Sequence, residues 1–153
     1  MALPPTWTLF GEHHLPHRLQ LLARMIERES ARQLAEEAGI SLAEWRVLVF
    51  VGTKARASAA DVCIAFDVDR AEVSRAVARL TGAGLLARQQ DDENRKRLLL
   101  ELTDAGLALY RRMRDRRVDY FRSILSDLQP RERELLDDLL LRLANKVDLL
   151  RED

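Results

Sequence analysis

Apolar positions along the chain change their period from one segment to the next. Residues 1–12, with Pro4 and Pro5, show no regular spacing and read as an irregular arm. From about His14 the spacing turns helical. Leu15, Leu19, Leu22 and Ile26 recur at intervals of 4, 3 and 4, and Gly39 stands where a left-handed residue ends a helix. "SLAE" comes next: Ser41 with Glu44 three residues on forms a capping box, and "WRVLVFV" behind it predicts a second helix over about 42–53. "SAAD" at 58–61 repeats that signal more weakly and opens a short third helix, "AADVCIAF". Asp69 with Glu72 then caps a fourth, which runs to about Thr81. A short helix, a three-residue break and a longer helix in series is the spacing of a helix-turn-helix.

After "GAG" the period falls to two. "LLARQQ" and "RLLLEL" read as strands, with Leu98, Leu100 and Leu102 alternating on one face and the polar "DDENRK" between them as a long charged hairpin tip. Thr103 caps a fifth helix whose stripe (Leu107, Tyr110, Met113, Val118, Phe121, Ile124) runs to about Leu128. Pro130 occupies the first turn of a sixth, with Leu136, Leu139, Leu143, Val147 and Leu150 on its apolar face. The pattern predicts a mainly α fold with one small β-hairpin. Residues 1–38 form an arm and helix, 41–102 a helix-turn-helix with a hairpin wing, and 103–153 two long helices.

Composition narrows the class. Of 153 residues, 47% are hydrophobic, enough for a true core, and 33% are charged, as suits long solvated helices. No apolar run approaches the roughly 20 residues a bilayer-spanning helix needs. The opening "MALPPTWTLFGEHH" lacks a secretory pattern, and one cysteine excludes an internal disulfide framework, so the expected compartment is the cytoplasm. Lys and Arg number 25, as do Asp and Glu, which argues against broad nonspecific nucleic-acid binding but leaves room for a local basic patch.

Such a patch falls on the fourth helix. On a wheel, Val73, Ala76, Val77 and Leu80 gather on the side that must pack, opposite Ala71, Ser74, Arg75, Ala78 and Arg79. Small residues allow a backbone to come close to a partner, and arginine offers a donor fork that matches guanine O6 and N7. Arg70 lies at the helix start, within reach of a phosphate. Between Lys54 and Arg97 there are nine bases against seven acids, and several of the acids are engaged as caps. Arg95, Lys96 and Arg97 gather at the hairpin tip, where a wing reaches an adjacent backbone or minor groove. The candidate DNA-binding residues are therefore Arg70, Ser74, Arg75, Arg79, Arg95, Lys96 and Arg97, with double-stranded DNA as the partner.

Other chemistry is sparse. His13 and His17 have i, i+4 spacing beside His14, but Pro16 interrupts them and no cysteine is near in sequence, so they read as a polar arm and no metal site is expected. Cys63 sits among apolar neighbours, where a thiol is usually inert. Trp45 and Phe50 could line a ligand cavity or simply fill the core. The histidines lie only in the arm and no glycine loop cradles phosphate, so neither an enzyme nor a cofactor is expected.

Four stretches together resemble the MarR family of bacterial transcriptional regulators over roughly residues 14–150: "SLAEWRVLVFV", "FDVDRAEVSRAVARLTGAGLLAR", "DDENRKRLLLELTDAG" and "LQPRERELLDDLLLRL". The resemblance implies a homodimer, with helices 1, 5 and 6 interleaved between chains and two winged helices reading a pseudo-palindrome. Three long amphipathic helices with too little centre to cover in one chain agree with it. It also implies a repressor that loses DNA affinity when a small aromatic or phenolic ligand binds. Two departures stand out. Asn94 and Lys96 occupy the positions of the family's wing-bracing aspartate and arginine, and Glu72 stands where Ser or Thr is common. Both favour the alternative, a winged-helix protein-interaction module without DNA recognition.

Overall fold

The computed structural model describes residues 3–8, 14–91 and 98–150. Six helices and one hairpin follow in order: α1 (Leu15–Ala38), α2 (Leu42–Lys54), α3 (Ala59–Phe66), α4 (Arg70–Gly82), β1 (Leu86–Gln90), β2 (Leu98–Leu102), α5 (Asp104–Ile124) and α6 (Pro130–Leu149). The mainly α fold with a hairpin wing is the one the periodicity predicts. The chain packs as two compact units, Met1–Met113 and Arg114–Asp153.

In the first unit, local hydrogen bonds set the helix boundaries. Gly39, at φ 65°, ends α1 and donates its N–H to Ala35 O at 3.0 Å. At α2, Glu44 N–H donates to Ser41 Oγ (3.1 Å) and Ser41 N–H to Glu44 Oε2 (2.9 Å). The Ser58–Asp61 pair at α3 closes the same reciprocal box, so the signal that read as weaker in sequence is complete. Asp67 takes a left-handed conformation (φ 49°) in the break before α4. Residues near the N-terminus are less irregular than expected: Pro5–Thr8 form one 3-10 turn, and Arg18 Nε donates to Trp7 O at 3.0 Å, tying that turn to α1.

The core lies where α2, α3 and α4 meet the base of the hairpin. Leu48, Val51, Val62, Val73, Val77, Leu80 and Leu100 are buried there. Each such side chain contributes about 1.5–3 kcal/mol. Trp45 and Tyr110 stack across α2 and α5 with ring centroids 6.2 Å apart. Gly52 makes room for that ring, since a Cβ there would sit 2.9 Å from Tyr110.

β1 and β2 pair antiparallel, with Leu86 opposite Leu102 and Gln90 opposite Leu98. Ala57, ahead of α3, adds a bridge to Leu100, with N···O distances of 2.7 and 3.3 Å. Leu98 does not share the burial of Leu100. The hairpin has run past the core by that point, and Leu98 is half exposed. Where the hairpin meets α5, Thr103 Oγ1 donates to Gly84 O (2.7 Å) and accepts the Gly106 N–H (3.1 Å), as a helix cap should. Gly106 is obligatory in this arrangement, because a Cβ would fall 1.9 Å from Leu85 O.

The second unit holds the end of α5 and α6. α5 stops at Ile124 rather than near Leu128, its chain tightening into turns with Ser126 N–H on Ser123 O and Leu128 N–H on Leu125 O. At the start of α6, Gln129 N–H donates to Glu132 Oε2 at 2.7 Å. None of the residues of α6 is buried, and Leu135, Leu136, Leu139, Leu140, Leu141, Leu143 and Val147 are all exposed. Among the described residues, no helix is long and apolar enough to cross a membrane.

Candidate nucleic-acid interface

α4 presents the face that its sequence pattern predicts. Val73, Ala76, Val77 and Leu80 are buried, while Arg70, Ala71, Ser74, Arg75, Ala78 and Arg79 are exposed. Asp69 caps the helix by accepting the backbone N–H groups of Ala71 (2.8 Å) and Glu72 (3.2 Å) through Oδ1. Glu72 does not complete the box expected of it. Its carboxylate approaches Arg46 Nη1 of α2 instead, at 3.7 Å, and Arg46 Nη2 is also bonded to Glu27 of α1 at 2.8 Å. The acid on the recognition face therefore lies beside a fixed cation, which offsets its repulsion of a phosphate.

Arg79 has a partner too. Its Nε lies 2.9 Å from Oε1 of Glu44, the cap residue of α2. Ser41, Glu44, Glu72, Arg75 and Arg79 border one cleft of about 400 Å³ between the start of α2 and α4. In sequence Glu44 reads only as a cap, and no role attaches to Arg46. An arginine amid the apolar run "WRVLVFV" was the available signal, since a cation on such a helix needs an acid within reach.

The seven candidate DNA contacts divide by position. Arg70, Ser74, Arg75 and Arg79 share the exposed face of α4. Arg95, Lys96 and Arg97 lie outside the described residues, as do Asn94 and His13. The two candidate ligand residues are not brought together. Trp45 is buried against Tyr110, whereas Phe50 packs edge-to-face on Phe66 and borders a cleft of about 500 Å³ with Lys54, Arg56, Asp61 and Ile64. Cys63 is half-buried on α3.

Residues 38–97 match the family model described as the MarR family. A MarR/EmrR family transcriptional regulator from Acinetobacter sp. ADP1 superposes with a TM-score of 0.80 at 25% identity, covering 89% of this chain and 96% of that one. Over these residues the chain is similar to the MarR family, and its fold is that of a solved MarR/EmrR regulator. The proteins it resembles are transcriptional regulators. An uncharacterized HTH-type transcriptional regulator of Bacillus subtilis, YwoH, is 25% identical over 130 residues, 85% of this chain and 93% of YwoH. A mutant MarR from E. coli, complexed with operator DNA, shares the fold of this chain at a TM-score of 0.75 and 18% identity, covering 92% of this chain and 98% of that one.

Proposed function

We propose that the chain is a cytoplasmic MarR-family repressor that binds a pseudo-palindromic operator as a homodimer and is released by a small aromatic or phenolic ligand. The exposed Arg70, Ser74, Arg75 and Arg79 on a helix buried on its other side carry the DNA reading. Small residues beside forked cations suit insertion into a major groove. The wing cations Arg95, Lys96 and Arg97 would extend the contact to the flanking backbone or minor groove.

Two features of the second unit support a homodimer. α6 leaves its leucines exposed, a larger apolar surface than a lone soluble chain keeps. Arg117 is buried, with its guanidinium 4.6 Å from the Phe121 ring centroid and 5.4 Å from that of Tyr120. Its Nε and Nη1 find no acceptor among the described residues, and burial holds its pKa below the usual arginine range. A cation so placed calls for an anion that the described residues do not supply and that a second copy of the chain would bring. For ligand release, the cleft bordered by Phe50, Lys54 and Arg56 offers an aromatic wall beside two cations.

The test is fluorescence anisotropy with labelled DNA from upstream of the chain's own gene, titrated at two salt concentrations. Saturable binding that weakens steeply with salt and survives excess random DNA is expected. No binding at low salt would overturn this reading in favour of the protein-interaction module.

A further inference from the structure

Glu44 is more than a helix cap. Its side chain is 4% exposed, whereas that of Arg79 is 71% exposed. One carboxylate oxygen accepts the Ser41 backbone N–H, and the other meets Arg79 Nε, both at 2.9 Å. The same acid thus fixes the start of α2 and grips a side chain on α4. Capping alone does not require this residue. In α3 of the same protein the shorter Asp61 closes the equivalent box, taking the Ser58 N–H at 2.8 Å. The extra methylene of Glu44 is what lets a buried cap reach Arg79.

For arginine this matters. The side chain carries high rotamer entropy, which a DNA contact must overcome. Held at Nε, Arg79 has lost much of that freedom before DNA arrives. A guanidinium has a planar fork of five donors, so engaging Nε leaves the Nη1 and Nη2 groups for an acceptor on a base or phosphate.

We propose that Glu44 is a positioning residue for DNA recognition: through its ion pair at the Nε edge it presets the Arg79 guanidinium on the exposed face of α4, leaving the terminal nitrogens to meet the nucleic acid. The assignment rests on the DNA-binding reading above.

Two variants isolate the effect. Glu44→Asp keeps the charge and the cap but withdraws from Arg79. Glu44→Gln keeps the length but loses the charge. By charge alone, removing an acid beside a polyanion strengthens binding, so Glu44→Gln should tighten the complex. Positioning demands the opposite. The full-length protein is titrated against a duplex selected from a random pool with the wild type, and thermal melts monitor folding. Both variants should bind about tenfold more weakly per half-site, within the range of one good bidentate contact. In an Arg79→Ala background the same changes should shift affinity less than twofold. Wild-type affinity or tighter in Glu44→Asp and Glu44→Gln overturns the assignment, as does an equal loss with Arg79 already removed. If one variant fails to fold, the other decides. If neither folds, Glu44 serves α2 and the assignment falls. Failure of the wild type to select or bind any duplex overturns the DNA reading and the assignment together, whereas binding by the wild type isolates the assignment.

Discussion

Arg75 and Arg79 stand four residues apart on one face of α4, yet their surroundings differ. Arg79 is tied to Glu44, while Arg75 borders the same cleft and makes no ion pair among the described residues. That leaves Arg75 its whole donor fork for a base edge. Arg75→Ala should cost about 1–3 kcal/mol per half-site and relax sequence preference at one operator position. Binding selections with wild type and variant would measure both quantities. Equal loss on every sequence would make Arg75 a phosphate contact instead. Glu72 teaches a different lesson at the same scale. Read in sequence it was a cap for α4 and a liability beside phosphate, but in three dimensions Asp69 caps alone and Glu72 lies beside Arg46. The pairing crosses two helices, and neither spacing nor propensity encodes it.

Helices and strands were legible because their signals are local. Ser41–Glu44, Ser58–Asp61 and Gly39 mark boundaries through bonds to near neighbours, Pro130 through its fixed φ and missing N–H, and the period of two announced the hairpin. The buried and exposed faces of α4 followed from the wheel alone. What escaped was non-local: the Ala57–Leu100 bridge, the grip of Glu44 on Arg79, and the exposure of Leu98 beyond the edge of the core. The glycine that opens α5 belongs between these cases. Its place in "LTDAG" was visible, but its reason, the Leu85 carbonyl at 1.9 Å from a would-be Cβ, was not. Gly106→Ala must push α5 away from the turn before β1, and should destabilise the fold by about 3 kcal/mol, at the upper end of overpacking costs. Urea unfolding would show it, and a wild-type midpoint would mean that the helix start slides freely. For the wing, Arg95 making one phosphate contact per subunit implies that Arg95→Ala flattens the slope of log affinity against log salt by about 2 for a dimer, with major-groove preference retained. An unchanged slope would remove Arg95 from the interface.

At the scale of the molecule, the decisive feature is a twenty-residue helix with nothing buried. On the homodimer reading, Leu139→Asp with Leu143→Asp should break the assembly, and sedimentation at micromolar concentration would report a monomer or an unfolded chain in place of a dimer. A well-folded, stable monomer of the unmodified protein would sink that reading. On the same homodimer reading, the exposed leucines would tie folding to the law of mass action. A chain that completes its fold only by pairing has no fixed melting temperature, because the paired state is favoured as protein is added. Melts over a hundredfold range of protein concentration should therefore rise steadily with dose, whereas a concentration-independent melt would show that each chain is finished alone. For a dimer that binds an operator, the same dependence would make occupancy rise with the square of a scarce regulator's abundance. A modest drop in its synthesis would then release the regulated gene more sharply than a single-chain binder could.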